Sequence, residues 1–151
     1  MTDIAFGTWC HRGTLYAEGQ STAESTTDAT PRKIAAPTWS KDSETGLTVD
    51  TTGGDITIAS DGAGDYLVSA SIAFSGTASK TFTCEIYIDS TGTGMSLTRK
   101  LGAGGDVGSA SIGSAVVTLA AGEEVSIYHA STDGGSAFTV VDIQLTCVRL
   151  S

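Results

Sequence analysis

Apolar and polar positions alternate along most of this chain. Tyr66, Val68, Ala70, Ile72 and Phe74 interleave with Leu67, Ser69, Ser71 and Ala73. A period of two places one set on one face of a strand, whereas a helix would scatter it around the circumference. Phe82, Cys84, Ile86 and Ile88 repeat the pattern against Thr83, Glu85 and Tyr87. Further strands are predicted at 13–18, 47–51, 55–59, 96–101, 111–119, 125–129 and 138–150. Their turns are marked by Gly53-Gly54, Asp61-Gly62-Ala63-Gly64, Asp89–Gly94, Gly102–Gly108, Ala120–Glu123 and Ser131–Ser136. In the last strand, Val141, Ile143, Leu145 and Cys147 fall on one face. Lys41–Thr45 with Gly46 predicts a turn, and Pro37 confines Ile34–Trp39 to a bend or an edge. Ala115–Ala121 is too short, too β-branched and too close to Gly113 and Gly122 to favour a helix.

About 8–10 short strands with regular turns predict an all-β sandwich or barrel. The inward positions are led by Tyr66, Val68, Ile72, Phe74, Ile86, Ile88, Val125, Ile127, Ile143 and Leu145. Residues 1–32 fit this pattern least. Apart from the strand at 13–18 they read as an N-terminal arm, with Gly19–Arg32 polar and rich in Ser and Thr, and 33–151 as the folded domain. Ile4, Phe6 and Trp9 are too few for a separate core and too hydrophobic for a solvating tail, so the segment before Pro31 is expected to dock onto a neighbour, the alternative being that it covers one open end of its own sandwich.

Composition sharpens this picture. The chain has 151 residues, 40% of them hydrophobic, with a mean hydropathy of +0.09, enough for one core without disulfide or metal support. Its 19 Gly, 18 Ser and 23 Thr supply turns and small outward side chains. The net charge is −9, and the eight Lys and Arg do not cluster. A groove tracking phosphates needs a basic stripe, so no nucleic-acid partner is expected. No segment has the length and hydropathy to span a membrane, and no leader pattern precedes the first strands. Cys10, Cys84 and Cys147 lack a framework spacing, and the last two sit in apolar strands as small buried hydrophobes.

Candidate chemistry is sparse. Cys10 and His11 are adjacent, but no second pair completes a metal site. His129 follows Val125 and Ile127 in phase, which suits a partly buried or inter-subunit histidine better than a catalytic one. No Gly-X-Ser-X-Gly elbow is present. Gly102–Gly108 lacks the Gly-Lys-Ser/Thr ending of a phosphate loop, and the aspartates lack calcium-loop spacing. The expectation is a protein that is not an enzyme and carries no cofactor or metal. Trp9 and Trp39 flank the polar arm, where a tryptophan suits an interface or a sugar platform. Tyr87 and Tyr128 lie opposite their strands' main apolar sets, and outward aromatics of this kind suit packing against a neighbour.

Two sets of three segments carry a family resemblance. Gly64-Asp65-Tyr66-Leu67-Val68-Ser69, then Val117-Thr118-Leu119 to Gly122-Glu123-Glu124-Val125, then Phe138 to Leu150 resemble the C1q/TNF-like jelly roll, with Glu123 where that family usually has Asp. Phe74-Ser75-Gly76, Arg99-Lys100-Leu101-Gly102 to Gly105-Asp106-Val107-Gly108-Ser109-Ala110-Ser111, and Leu119-Ala120-Ala121-Gly122 resemble jelly-roll head-decoration and fibre proteins of tailed bacteriophages. The resemblance implies an antiparallel jelly-roll sandwich and a homotrimer. It implies a virion location on the capsid surface after synthesis in the host cytoplasm. The implied function is that of a decoration, or cement, protein whose partners are itself and the major capsid protein or another virion protein. The alternative is a fibre or receptor-binding tip that contacts host glycan. Ile4, Phe6, Trp9, Trp39, Tyr87 and Tyr128 are the candidate interface residues.

Overall fold

The computed structural model describes residues 11–24, 28–104 and 106–150. These form eleven strands in two antiparallel sheets. The five-stranded sheet has the order β3 (Ser40–Thr45), β1 (Arg12–Ala17), β11 (Phe138–Arg149), β6 (Gly64–Gly76), β9 (Gly108–Leu119). The six-stranded sheet contains β4 (Leu47–Asp50), β5 (Asp55–Ile58), β10 (Glu124–Ser131), β7 (Thr81–Ile88) and β8 (Thr91–Lys100), with the short β2 (Arg32–Lys33) also paired to β10. Sheets packed face to face share one core built from alternate residues of each strand.

That alternation places the core largely where the sequence pattern puts it. Tyr66, Val68, Phe74, Ile86, Val125 and Leu145 are fully buried, and Ile72, Ile127 and Ile143 nearly so. Ile88 is only half-buried at the end of β7, packing against the core's margin. Phe74, Phe82 and Phe138 form an aromatic cluster at one end, with ring centroids 4.9–5.8 Å apart. Cys84 and Cys147 are free, buried thiols.

Four expectations are corrected. Lys41–Thr45 is strand, not turn: β3 pairs with β1 at the sheet edge with a register shift near Thr14, and its charged sequence suits a solvated edge. β8 starts at Thr91, inside the expected Asp89–Gly94 turn, which tightens to two residues, Asp89 and Ser90, both at positive φ. Val140, not Val141, faces the core. A bulge between Val140 and Asp142 shifts the phase, so Val140 and Ile143 both point inward. Finally, the chain does not divide at residue 32. β1 lies between β3 and β11, and its Leu15 and Ala17 belong to the core.

The polar stretch after β1 is held along the edges of both sheets. Gln20 N donates to Val141 O at 2.8 Å and Glu24 N to Phe138 O at 2.8 Å, extending the line of β1 along β11. Beyond the turn, Ser131 N donates to Asp28 O at 2.7 Å, β2 pairs with Tyr128 and His129, and Ile34 N donates to Ile127 O at 2.9 Å. This second half extends the line of β5 along β10. Two acidic side chains fix it. Glu24 accepts bonds from Ala35 N and Ala36 N at 3.1 and 2.9 Å, and Lys33 Nζ reaches Asp55 at 2.5 Å and Glu124 at 2.6 Å. Burial pushes the Glu24 and Asp55 carboxyls above the ordinary range, against the bonds that hold them ionised.

Trp39 is buried at the end of this strap, 6% exposed, with its indole against Gly54. Gly54 has φ +74°, and a Cβ there would lie 2.7 Å from the Trp39 Nε1 and 2.9 Å from the Ile34 carbonyl. Backbone strain and collision act together at this position. Gly54→Ala should therefore destabilise the fold by about 2 kcal/mol, measured as a lower urea midpoint at unchanged slope. An unchanged midpoint would refute this account of the strap's anchor.

Candidate functional site

With one face of each sheet in the core, binding falls to the outward faces. On the five-stranded sheet, cross-strand register builds outward rows. Arg12 pairs with Val148, Val148 with Leu67, and Leu67 with Val116. Thr14, Thr146, Ser69 and Ser114 form the next row, and Tyr16, Gln144, Ser71 and Ser111 the one beyond. Thr14 and Thr146 hydroxyls stand 3.5 Å apart.

Beyond Arg12 at its end, the first row is apolar and open. Val116 is 58% and Leu67 40% exposed, side by side, with half-buried Val148 next to them. The next two rows carry no charge. Charged side chains stand at the margin: Arg12 and Asp65 at one end, and, away from them, Glu18, Asp42 and Asp142, which line a shallow groove of about 690 Å³. An apolar and hydroxyl centre inside a charged rim has the anatomy of a protein–protein contact.

On the six-stranded sheet, Tyr87 and Tyr128 point outward and stack on one another, with centroids 4.0 Å apart and planes at 16°. Tyr87 stands opposite Gly92, whose lack of a side chain leaves it room, and Tyr128 stands opposite Glu85. Burial, then Glu85 and Tyr128, push the Tyr87 phenol above its ordinary value. Beneath this face His129 is 1% exposed and stacks on Phe138 at 4.6 Å and 9°.

The candidate interface residues therefore separate. Tyr87 and Tyr128 come together, but on the sheet opposite the Leu67–Val116 row. Trp39 is inside the core, because the strap folds it under Gly54, and is corrected from a surface residue to a core residue. Ile4, Phe6 and Trp9 lie outside the described residues. Leu67 and Val116 were not singled out from the sequence. Leu67 is out of phase with Tyr66 and Val68, a signal that was available; its pairing with Val116 depends on long-range register that a single strand does not reveal.

Burial pushes the Cys84 and Cys147 thiols up to about 12, which keeps them protonated and unreactive. His11 packs beneath Gly46, 3.4 Å from the Tyr66 hydroxyl, which donates to Gly62 O at 2.6 Å. Among the described residues no three His, Cys, Asp or Glu side chains converge as a metal site, and no helix is long and apolar enough to cross a membrane.

Comparison with solved structures assigns the architecture. The chain aligns with Eiger TNF from S. frugiperda at TM-score 0.61 and 15% identity, covering 95% of this chain and 94% of that one. The globular domain of zebrafish complement 1qA protein aligns at 0.55 and 14%, covering 90% and 94%. The fold is the TNF/C1q-type jelly roll. PRD1 vertex protein P5 shares it at TM-score 0.54 and 12% identity, covering 96% of this chain and all of that one. No family model matches the chain, and no curated protein matches it in sequence.

His129 gives this jelly roll a measurable pH response. Burial, with Arg32 adding to it, pushes the imidazole from 6.5 down to about 4. Between those values the unfolded chain takes up a proton that the folded chain refuses, so stability is full above pH 6.5 and falls as pH drops towards 4. The difference corresponds to about 3 kcal/mol. Urea unfolding at pH 7 and near pH 4 should show a loss larger by about that amount in wild type than in His129→Phe. Equal losses would contradict a neutral, buried His129.

Proposed function

We propose that this chain is a structural, non-catalytic virion protein that assembles as a homotrimer and decorates the outside of a phage head, with the major capsid protein as its partner. The observation that carries the self-assembly is the exposed Leu67–Val116 pair beside Val148, next to two uncharged rows of the five-stranded sheet whose charges stand at the margin. A monomer gains nothing from holding these side chains in water, and a second copy would remove them from it.

The edges support the same reading. β8 is free of charge from Thr91 to Thr98, β9 over its whole length, and both end their sheets. Long uncharged edges invite pairing unless covered. By contrast β3, at the other end of the five-stranded sheet, carries Lys41, Asp42 and Glu44. Contact between the β8–β9 side of one copy and the sheet face of the next is heterologous, and such contacts close into a ring when the rotation permits. The placement on a phage head rests on the sequence likeness to decoration proteins, with the shared jelly roll of PRD1 vertex protein P5 in agreement.

Under this reading the segment before β1, with Ile4, Phe6 and Trp9, docks onto the capsid or a neighbouring copy. The second reading, a fibre or receptor-binding tip, is favoured by the tyrosine-walled face of the six-stranded sheet. Copy number in purified particles separates the two. Decoration requires a number comparable to that of the capsid protein, a tip only a few.

Two variants test the assembly. Val116→Asp should turn a species of three chain masses into a monomer by light scattering while keeping the β-sheet spectrum, since a charge in a closing apolar contact is costly and the same change on an open surface is not. A trimer that survives Val116→Asp would reject this face. Deletion of residues 1–10 should leave the spectrum intact and abolish attachment to particles; retained attachment would reject the docking segment.

A further inference from the structure

We propose that the groove beside the Tyr87–Tyr128 pair is a saccharide site that accepts one neutral hexopyranose ring of a glycan. The groove measures about 230 Å³ and lies on the outer face of the six-stranded sheet. Tyr87, Tyr128, Glu85 and Thr83 line it from the sheet, and Pro31 of the strap lines it too. Its size falls below the roughly 300–1,000 Å³ of pockets that enclose drug-sized ligands, which suits a single ring.

A pyranose has a C–H face that packs on an aromatic ring and a rim of hydroxyls that need donors and acceptors. Both are provided here. The two tyrosines are stacked, and the Tyr128 hydroxyl is tied to Ser90 Oγ at 3.3 Å. This fixes the aromatic surface before any ligand arrives, which lowers the ordering cost of binding. Glu85 is oriented as well, because its Oε1 accepts Gly94 N at 2.8 Å. Its Oε2 has no protein partner among the described residues and remains an acceptor for sugar hydroxyls. The Thr83 hydroxyl, bonded to Thr98 at 3.0 Å, adds a second polar contact.

The charge pattern selects the class of sugar. No Lys or Arg lines the groove among the described residues. Arg32, on the strap beside Pro31, is paired with Asp28 at 3.0 Å. With Glu85 inside and a chain of net charge −9, an anionic saccharide is repelled. A point cation fits less well than a sugar. Each tyrosine gives one ring face to the other, which leaves a flat outer surface and no cage.

The groove is on the sheet opposite the Leu67–Val116 row, so self-association through that row leaves it open. Several weak sites presented together would bind a glycan surface with the gain of multivalency. Failure of this site would leave the self-association reading untouched.

Saturation-transfer NMR on the full chain tests the site, using methyl galactoside, glucoside and mannoside, with N-acetylneuraminic acid and tetramethylammonium as contrasts. At least one neutral methyl hexopyranoside should receive saturation, and the two contrasts none. Affinity should fall about tenfold or more in Glu85→Gln, which removes a charged acceptor at constant shape, and in Tyr128→Ala. If Tyr128→Ala loses its β-sheet spectrum, Glu85→Gln alone decides. No transfer to any neutral hexopyranoside, undiminished transfer in Glu85→Gln, or preferential transfer to tetramethylammonium would overturn the proposal.

Discussion

Two sheets packed about 10 Å apart can share only one side of each strand, and the rest of this structure depends on that constraint. Once Tyr66, Val68 and Phe74 of β6 are committed to the core with Leu145 and Cys147 of β11, the intervening residues must face outward. Leu67 is outside because Tyr66 and Val68 are inside. Where outward positions are serine or threonine, the face is merely solvated. Where register brings Leu67 beside Val116 and Val148, the same constraint produces an apolar row that the described residues leave exposed.

A second consequence concerns the edges. The chain leaves β1 still running along β11, passes to the other sheet, and continues the line of β5 along β10 before returning as β3. A polar segment thereby pairs backbone groups that neither β1 nor β5 reaches. Glu24 and Lys33 hold it, each at some electrostatic expense from partial burial. No comparable strap covers β8 and β9 among the described residues, so the sandwich has a protected side and an open one. The open side adjoins the apolar row through β9.

Strand identity and the core were legible where alternation was long and uninterrupted, as in β6 and β7. Three things were not. The inward assignment of Val141 followed strict alternation, which a bulge at Val140 breaks, and nothing local marks a bulge that lacks glycine. Lys41–Thr45 looked like a turn because its composition is polar, yet an edge strand with both faces wet carries that composition. Trp39 was expected at an interface because it flanks the polar arm. Its burial depends on Gly54, fifteen positions away, having no side chain. The candidate site divided on the same principle. The outward direction of Tyr87 and Tyr128 follows from period two, whereas their stacking, and the Leu67–Val116 pairing, depend on which strands become neighbours.

The molecule thus presents two outward faces of different chemistry: apolar and hydroxyl-lined on the five-stranded sheet, aromatic and acidic on the six-stranded one. Assigning the first to self-association and leaving the second open is the central claim. Hydroxyl-radical footprinting of the assembled protein tests it most directly. Leu67, Val116 and Val148 should be oxidised far more slowly than Val107, which is 56% exposed in a loop, while Tyr87 and Tyr128 stay reactive. Oxidation of Val116 at the rate of Val107, with Tyr87 and Tyr128 protected instead, would place the contact on the opposite face and contradict the account.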